Sequence, residues 1–122
     1  MTAKAIGGGG AKLIYACSGG SDVGHLADLG GRAAATRDAG KLHCLAGIGG
    51  QVEPILATAR MAPKILAIDG CPHHCAQKTL EQAGFTGFLH LSLNELGFTK
   101  GRSEPTPERV RLVAEQAVEK LK

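Results

Sequence analysis

Three short apolar runs each deliver a cysteine at a fixed interval. KLIYA at 12–16 precedes Cys17, LHCLA at 42–46 contains Cys44, and KILAI at 64–68 precedes Cys71, with 27 residues from each cysteine to the next. A run this short, closed by turn-forming residues, predicts a strand buried on both faces. One strand with its crossover helix takes about 25–30 residues, so the interval is that of a repeated strand–helix unit. A fourth run, FLHLSL at 88–93, alternates and predicts a strand with one more polar face. The order βαβαβαβα predicts an α/β fold. It is a three-layer αβα sandwich around a four-stranded, mainly parallel sheet of Rossmann-like or flavodoxin-like type.

The intervening segments carry helix signals. Ser21 is placed to cap a helix over 22–37 with Asp22 in its first turn, where negative charge meets the positive end of the dipole. Gly30 and Gly31 weaken that helix, so it must be held by packing or break there. Pro54 suits the first turn of a helix ending near Arg60, before Pro63. Pro72 predicts the first helical position of a third helix capped by Cys71 and stopped by Gly84. Residues 94–105, with Gly97, Gly101 and Pro105, predict a loop. Thr106, Pro107 and Glu108 open a last helix, with Val110, Val113, Ala114, Ala117, Val118 and Leu121 in one apolar stripe.

Length and composition bound the function classes. A chain of 122 residues is large enough for one domain with its own core. The expected organisation is a Gly-rich leader at 1–10, excluded from the fold, and a single domain at 11–122. No apolar stretch has the length of a membrane span, and the N-terminal residues lack the apolar centre of a signal peptide. The expected home is therefore the cytoplasm, with no membrane partner. The net charge of +3 is spread among acids, without clustered bases or an aromatic platform, so no nucleic-acid partner is expected.

In a parallel sheet the carboxyl ends of the strands share one edge, where ligands bind at a topological switch point. If the first three strands are neighbours, Cys17, Cys44 and Cys71 converge there. Cys75, four residues after Cys71 and on one face of the same helix start, is then the fourth. Four thiolates form a tetrahedral zinc site, or hold an iron–sulfur cluster. The glycines beside the cysteines offer N–H donors to the sulfurs. Two disulfides would need an oxidising compartment. Unrelated core cysteines and redox chemistry remain open.

The segments YACSGGSDVGHLA, LHCLAGIGG and AIDGCPHHCAQKTLEQAG together resemble the DGC-domain family, named for the triplet seen here as Asp69-Gly70-Cys71. The resemblance is strong over 13–84 and weaker beyond. It implies a zinc-binding domain whose four cysteines map onto Cys17, Cys44, Cys71 and Cys75. The chain departs from the family pattern at Asp22, where Asn is expected, and at His73 and His74, where small residues are.

The neighbouring groups are expected to be secondary. His73 and His74 read as solvated first-turn residues, with a role as replacement or second-metal ligands as the sharper alternative. Asp69 reads as an acceptor for loop N–H groups or a support behind a metal ligand, with a plain turn role as the alternative, His43 as a contact to a covering helix, and His90 as a residue with no evident partner. His25 is a further residue able to face the site. Neither Cys17 nor Cys71 has an arginine six positions on, so a Cys-x₅-Arg phosphatase loop is absent. Walker, G-x-G-x-x-G and C-x-x-C patterns are absent too. A closed set of four cysteines leaves no open coordination position. That favours metal handling or sensing over catalysis, with a zinc- or thiol-dependent enzyme as the alternative. The expected partner is a metal ion, and no protein partner is named.

Overall fold

A strand whose every side chain is buried has no face to show water and must lie between two layers. The computed structural model describes residues 10–122, and puts such a strand, β1 (Leu13–Ala16), in the interior of the sheet. β2 (Lys41–Leu42) pairs with one side of β1 and β3 (Ile65–Asp69) with the other, while β4 (Leu89–Ser92) lies outside β3. All three pairings are parallel, in the order β2-β1-β3-β4. The expected α/β class and the adjacency of the first three strands are both found.

Alternation along the strands divides the core in two. Ile14, Ala16, Leu66, Ile68 and Leu91 face α1 (Asp22–Thr36) and α5 (Pro107–Lys120), meeting Leu26, Ala34, Val113 and Ala117. Leu13, Tyr15, Ile65 and Ala67 face α2 (Leu45–Gly49), α3 (Glu53–Arg60) and α4 (Cys75–Gln82), meeting Ile48, Leu56, Ala76 and Leu80. The crossovers on either side of β1 thus lie on opposite faces, and the β1–β3 boundary is the topological switch point.

α1 runs unbroken through its glycine pair because packing demands small residues there. A Cβ on Gly30 would stand 2.3 Å from Val113 Cγ1, so α1 and α5 cross at a distance that Gly30 permits. Ser21 accepts the Gly24 N–H at 3.1 Å and Thr106 accepts the Arg109 N–H at 3.2 Å, giving both long helices the expected caps. Gly84, at φ +95°, ends α4 as expected, with the Phe85 N–H reaching back to the Leu80 carbonyl at 3.0 Å.

Three local expectations need correction. The second strand is Lys41–Leu42 rather than 42–46. Its last ladder bond comes from the His43 N–H to the Ile14 carbonyl, after which Cys44 caps α2. The third helix starts at Cys75 rather than Pro72. Pro72 instead occupies a turn closed by the His74 N–H on the Cys71 carbonyl at 3.3 Å, a position its fixed φ suits. Within 94–105 a short 3₁₀ turn, Leu93–Leu96, follows β4. The rest is pinned by the Asp22 carboxylate, which accepts N–H groups from Gly101 at 2.9 Å and Ser103 at 2.8 Å. The expected leader lies outside the described residues apart from Gly10. No helix of the described residues is long and apolar enough to cross a membrane.

Candidate functional site

Each strand or strand end carries its cysteine to the carboxyl edge, by different local means. Cys17 directly follows β1, and its N–H still bonds the Ile68 carbonyl at 3.0 Å, so the β1–β3 ladder holds it. Its sulfur accepts the Gly70 N–H at 3.4 Å. Cys44 is the cap of α2, its sulfur accepting the Gly47 N–H at 3.2 Å. Cys71 lies in the turn after β3, and Cys75 is the first residue of α4. That turn separates the last two, so they do not share a helix face as expected.

Cys17, Cys44 and Cys75 line one cleft of about 620 Å³, with His43, Arg32 and Asp28 in its walls. Cys71 is not in that lining, but stands near enough to Cys17 for its charge to act on that thiol. Cys17 and Cys71 are half-buried, whereas Cys44 and Cys75 are exposed. Burial pushes the Cys17 thiol up, and the negative charges of Asp69 and Cys71 add to the rise. The N–H groups of Gly70 and Gly19 oppose it. Among the described residues no group of three or more His, Cys, Asp and Glu side chains is arranged to hold an ion. The donor set fits a thiophilic metal in its chemistry and in its edge. Closing it requires the exposed sulfurs to turn inward.

The neighbours are more engaged than their sequence positions suggested. Asp69, 1% exposed at the end of β3, accepts N–H groups from Ala76 at 2.7 Å and Gln77 at 3.0 Å. It therefore caps α4 from another element, which is why the helix starts at Cys75. His90, expected to stand alone, bonds through Nε2 to Asp69 Oδ2 at 2.9 Å. The signal was there in principle. Once β4 is known to lie beside β3 with His90 opposite Ala67, His90 and Asp69 must share a sheet face.

His43 meets the Tyr15 phenol at 2.8 Å, and burial holds its imidazole below the ordinary range. Burial also pushes the Tyr15 phenol up, with the Cys44 charge adding to it. His25 and His73 are exposed, and His25 lies with Gly19, Asp22 and Glu104 in a separate depression.

Comparison with known proteins adds to this geometry. The family described as DGC domain matches residues 13–117. Over 93 residues, 75% of this chain and 70% of the other, the chain is 44% identical to the anaerobic and virulence modulator AnvM of Pseudomonas aeruginosa. No solved structure matches the chain.

Proposed function

This chain belongs to the DGC-domain family, and on that premise we propose that it is a small regulatory protein holding one zinc ion on Cys17, Cys44, Cys71 and Cys75. The observation that carries this reading is the meeting of Cys17, Cys44 and Cys75 in one cleft at the carboxyl edge of a parallel sheet. They come from three separate crossover units. The Gly70 and Gly47 N–H groups that reach two of the sulfurs are donors of the kind that surround metal-bound sulfur. The name of the relative, a modulator, supports a regulatory role over a metabolic one. A set of four thiolates leaves no coordination position for substrate, so the protein senses or handles the metal without catalysis. Such a set also needs a reducing compartment, which supports the cytoplasm.

Elemental analysis of protein purified without added metal or chelator, together with a visible spectrum, tests this. About one equivalent of zinc and a colourless protein are expected, with zinc lost in each single Cys→Ser variant. Full zinc in all four variants would refute the reading. A brown, iron-containing protein would replace zinc with an iron–sulfur cluster on the same residues.

A further inference from the structure

Where β3 meets β4, three side chains outside the cleft lining come together: Asp69, His90 and His74. Asp69 is held by the two α4 N–H groups and is almost fully buried, so its carboxylate has one orientation. It takes the Nε2–H of His90, which fixes that ring's tautomer and leaves Nδ1 as its uncommitted lone pair. A carboxylate behind an imidazole is the usual support of a metal-binding histidine, because it orients the ring and raises the basicity of the other nitrogen.

His74 supplies the second ring. Its backbone is left-handed, at φ 56° and ψ 48°. A non-glycine residue adopts that region at a cost and only when its surroundings demand it. The conformation sets the His74 ring 4.7 Å from the His90 ring, centre to centre, at an interplanar angle of 75°. Two imidazoles bonded to one ion through nitrogens at about 2.0–2.1 Å bring their centres to about 4.5–5.2 Å, for cis angles between square-planar and tetrahedral. Edge-to-face packing also accounts for the ring contact. Capping of α4 accounts for the burial of Asp69, but neither it nor ring packing requires that the same carboxylate also bond the His90 ring. Ser92, in register with Asp69, adds a buried hydroxyl that no described residue uses.

We propose that His74 and His90 form a second metal site, taking a borderline divalent ion such as zinc, nickel or copper, with Asp69 as the positioning residue. The protein provides two nitrogens, and water or an exogenous donor completes the shell. The site is therefore open and exchangeable, unlike four thiolates. It goes beyond the zinc reading and does not depend on it.

The test removes the thiols. A chain with Cys17, Cys44, Cys71 and Cys75 all replaced by serine is titrated with nickel chloride by calorimetry. About one equivalent is expected, with affinity falling about tenfold or more on adding His90→Ala or His74→Gly. His74→Gly also relieves the left-handed strain, so the same variant is expected to unfold at higher denaturant. A merely structural role for His74 gives no loss of nickel. No nickel uptake by the thiol-free chain, or unchanged uptake after both histidine substitutions, overturns the proposal.

Should the thiol-free chain not fold, nitrogen NMR of the unaltered protein with excess zinc decides the matter. A ligation shift at His90 Nδ1 supports the site, and its absence overturns it. Loss of zinc from the single Cys→Ser variants speaks only to the thiolate site, so the two readings fail separately.

Discussion

Replacing Asp69 by Asn keeps the shape of the side chain and removes its charge and one of its two acceptor oxygens. Oδ1 serves the Ala76 N–H, while Oδ2 serves the Gln77 N–H and His90. Whichever way the amide lies, its NH₂ faces at least one backbone N–H at the buried start of α4. A buried donor left without a partner costs about 1–3 kcal/mol, and a hydrogen bond to a charged group contributes about 1.5–3 kcal/mol against about 1 for a neutral one. His90 offsets part of this by changing tautomer and accepting from the amide. The expected loss is about 2–4 kcal/mol, a sizeable share of the roughly 5–15 kcal/mol that holds a domain. Urea unfolding of metal-free protein, followed by circular dichroism, should show the midpoint falling by about 1–2 M with an unchanged slope. Exchange of the Ala76 and Gln77 amides should rise while that of the β1 amides does not. A loss below about 1 kcal/mol, or exchange unchanged at those two amides, would mean that the carboxylate does not anchor α4.

Three further outcomes can be checked. Gly30→Ala gains helix propensity but drives a Cβ to 2.3 Å from Val113 Cγ1; overpacking of about 1–3 kcal/mol should win, and Val113→Ala should restore most of it in a double-mutant cycle. In metal-free protein at neutral pH, iodoacetamide should modify exposed Cys44 and Cys75 before Cys17, whose thiol burial pushes up; peptide mass mapping that finds Cys17 first would contradict this. The N–H groups of Gly101 and Ser103 hold the Asp22 carboxyl below its usual range. Its contribution is thus present above that range and lost as pH falls through the lowered folded value. Asp22→Asn should flatten the acid limb of stability and speed amide exchange at Gly101 and Ser103.

β1 and β3 were legible because their chemistry is local. KLIYA and KILAI are short, β-branched-containing apolar runs bounded by turn residues, too short for a buried helix and suited to a doubly covered parallel strand. The long helices were legible for the same reason, since Ser21 and Thr106 act on N–H groups three residues away. The start of α4 was not. Pro72 fits a first helical turn and a β-turn equally well by itself. The choice is made by Asp69, whose carboxylate reaches seven and eight residues ahead to cap the helix at Cys75. His90 was opaque for a related reason, its partner lying 21 residues away and visible only through the β3–β4 register. Cys44 was misplaced because its sulfur competes for the chain, capping α2 through Gly47 where a longer strand would have carried it along the ladder.

The glycines at the β1–β3 boundary explain why the cysteines fall into two kinds. A Cβ on Gly70 would lie 2.5 Å from the Val23 backbone, and one on Gly24 would lie 2.7 Å from the Gly19 nitrogen. The end of β3 therefore passes directly over the first turn of α1, and the loop after β1 folds back against that same turn. Any side chain there would drive the two strand ends apart, and with them Cys17 and Cys71. The Gly70 N–H that reaches the Cys17 sulfur exists because of this closeness. Cys17 is thus set by a ladder bond and by backbone packing, with Cys71 two residues beyond a fully buried strand. Cys44 and Cys75 stand exposed at helix starts, with the Cys44 sulfur engaged by the Gly47 N–H. On the proposed reading, an ion at this edge would meet Cys17 already fixed by the sheet and would have to order the exposed Cys44 and Cys75 around it. If the site binds metal as proposed, most of the ordering cost would fall on short side chains rather than on the fold, a condition for taking up and releasing an ion without unfolding.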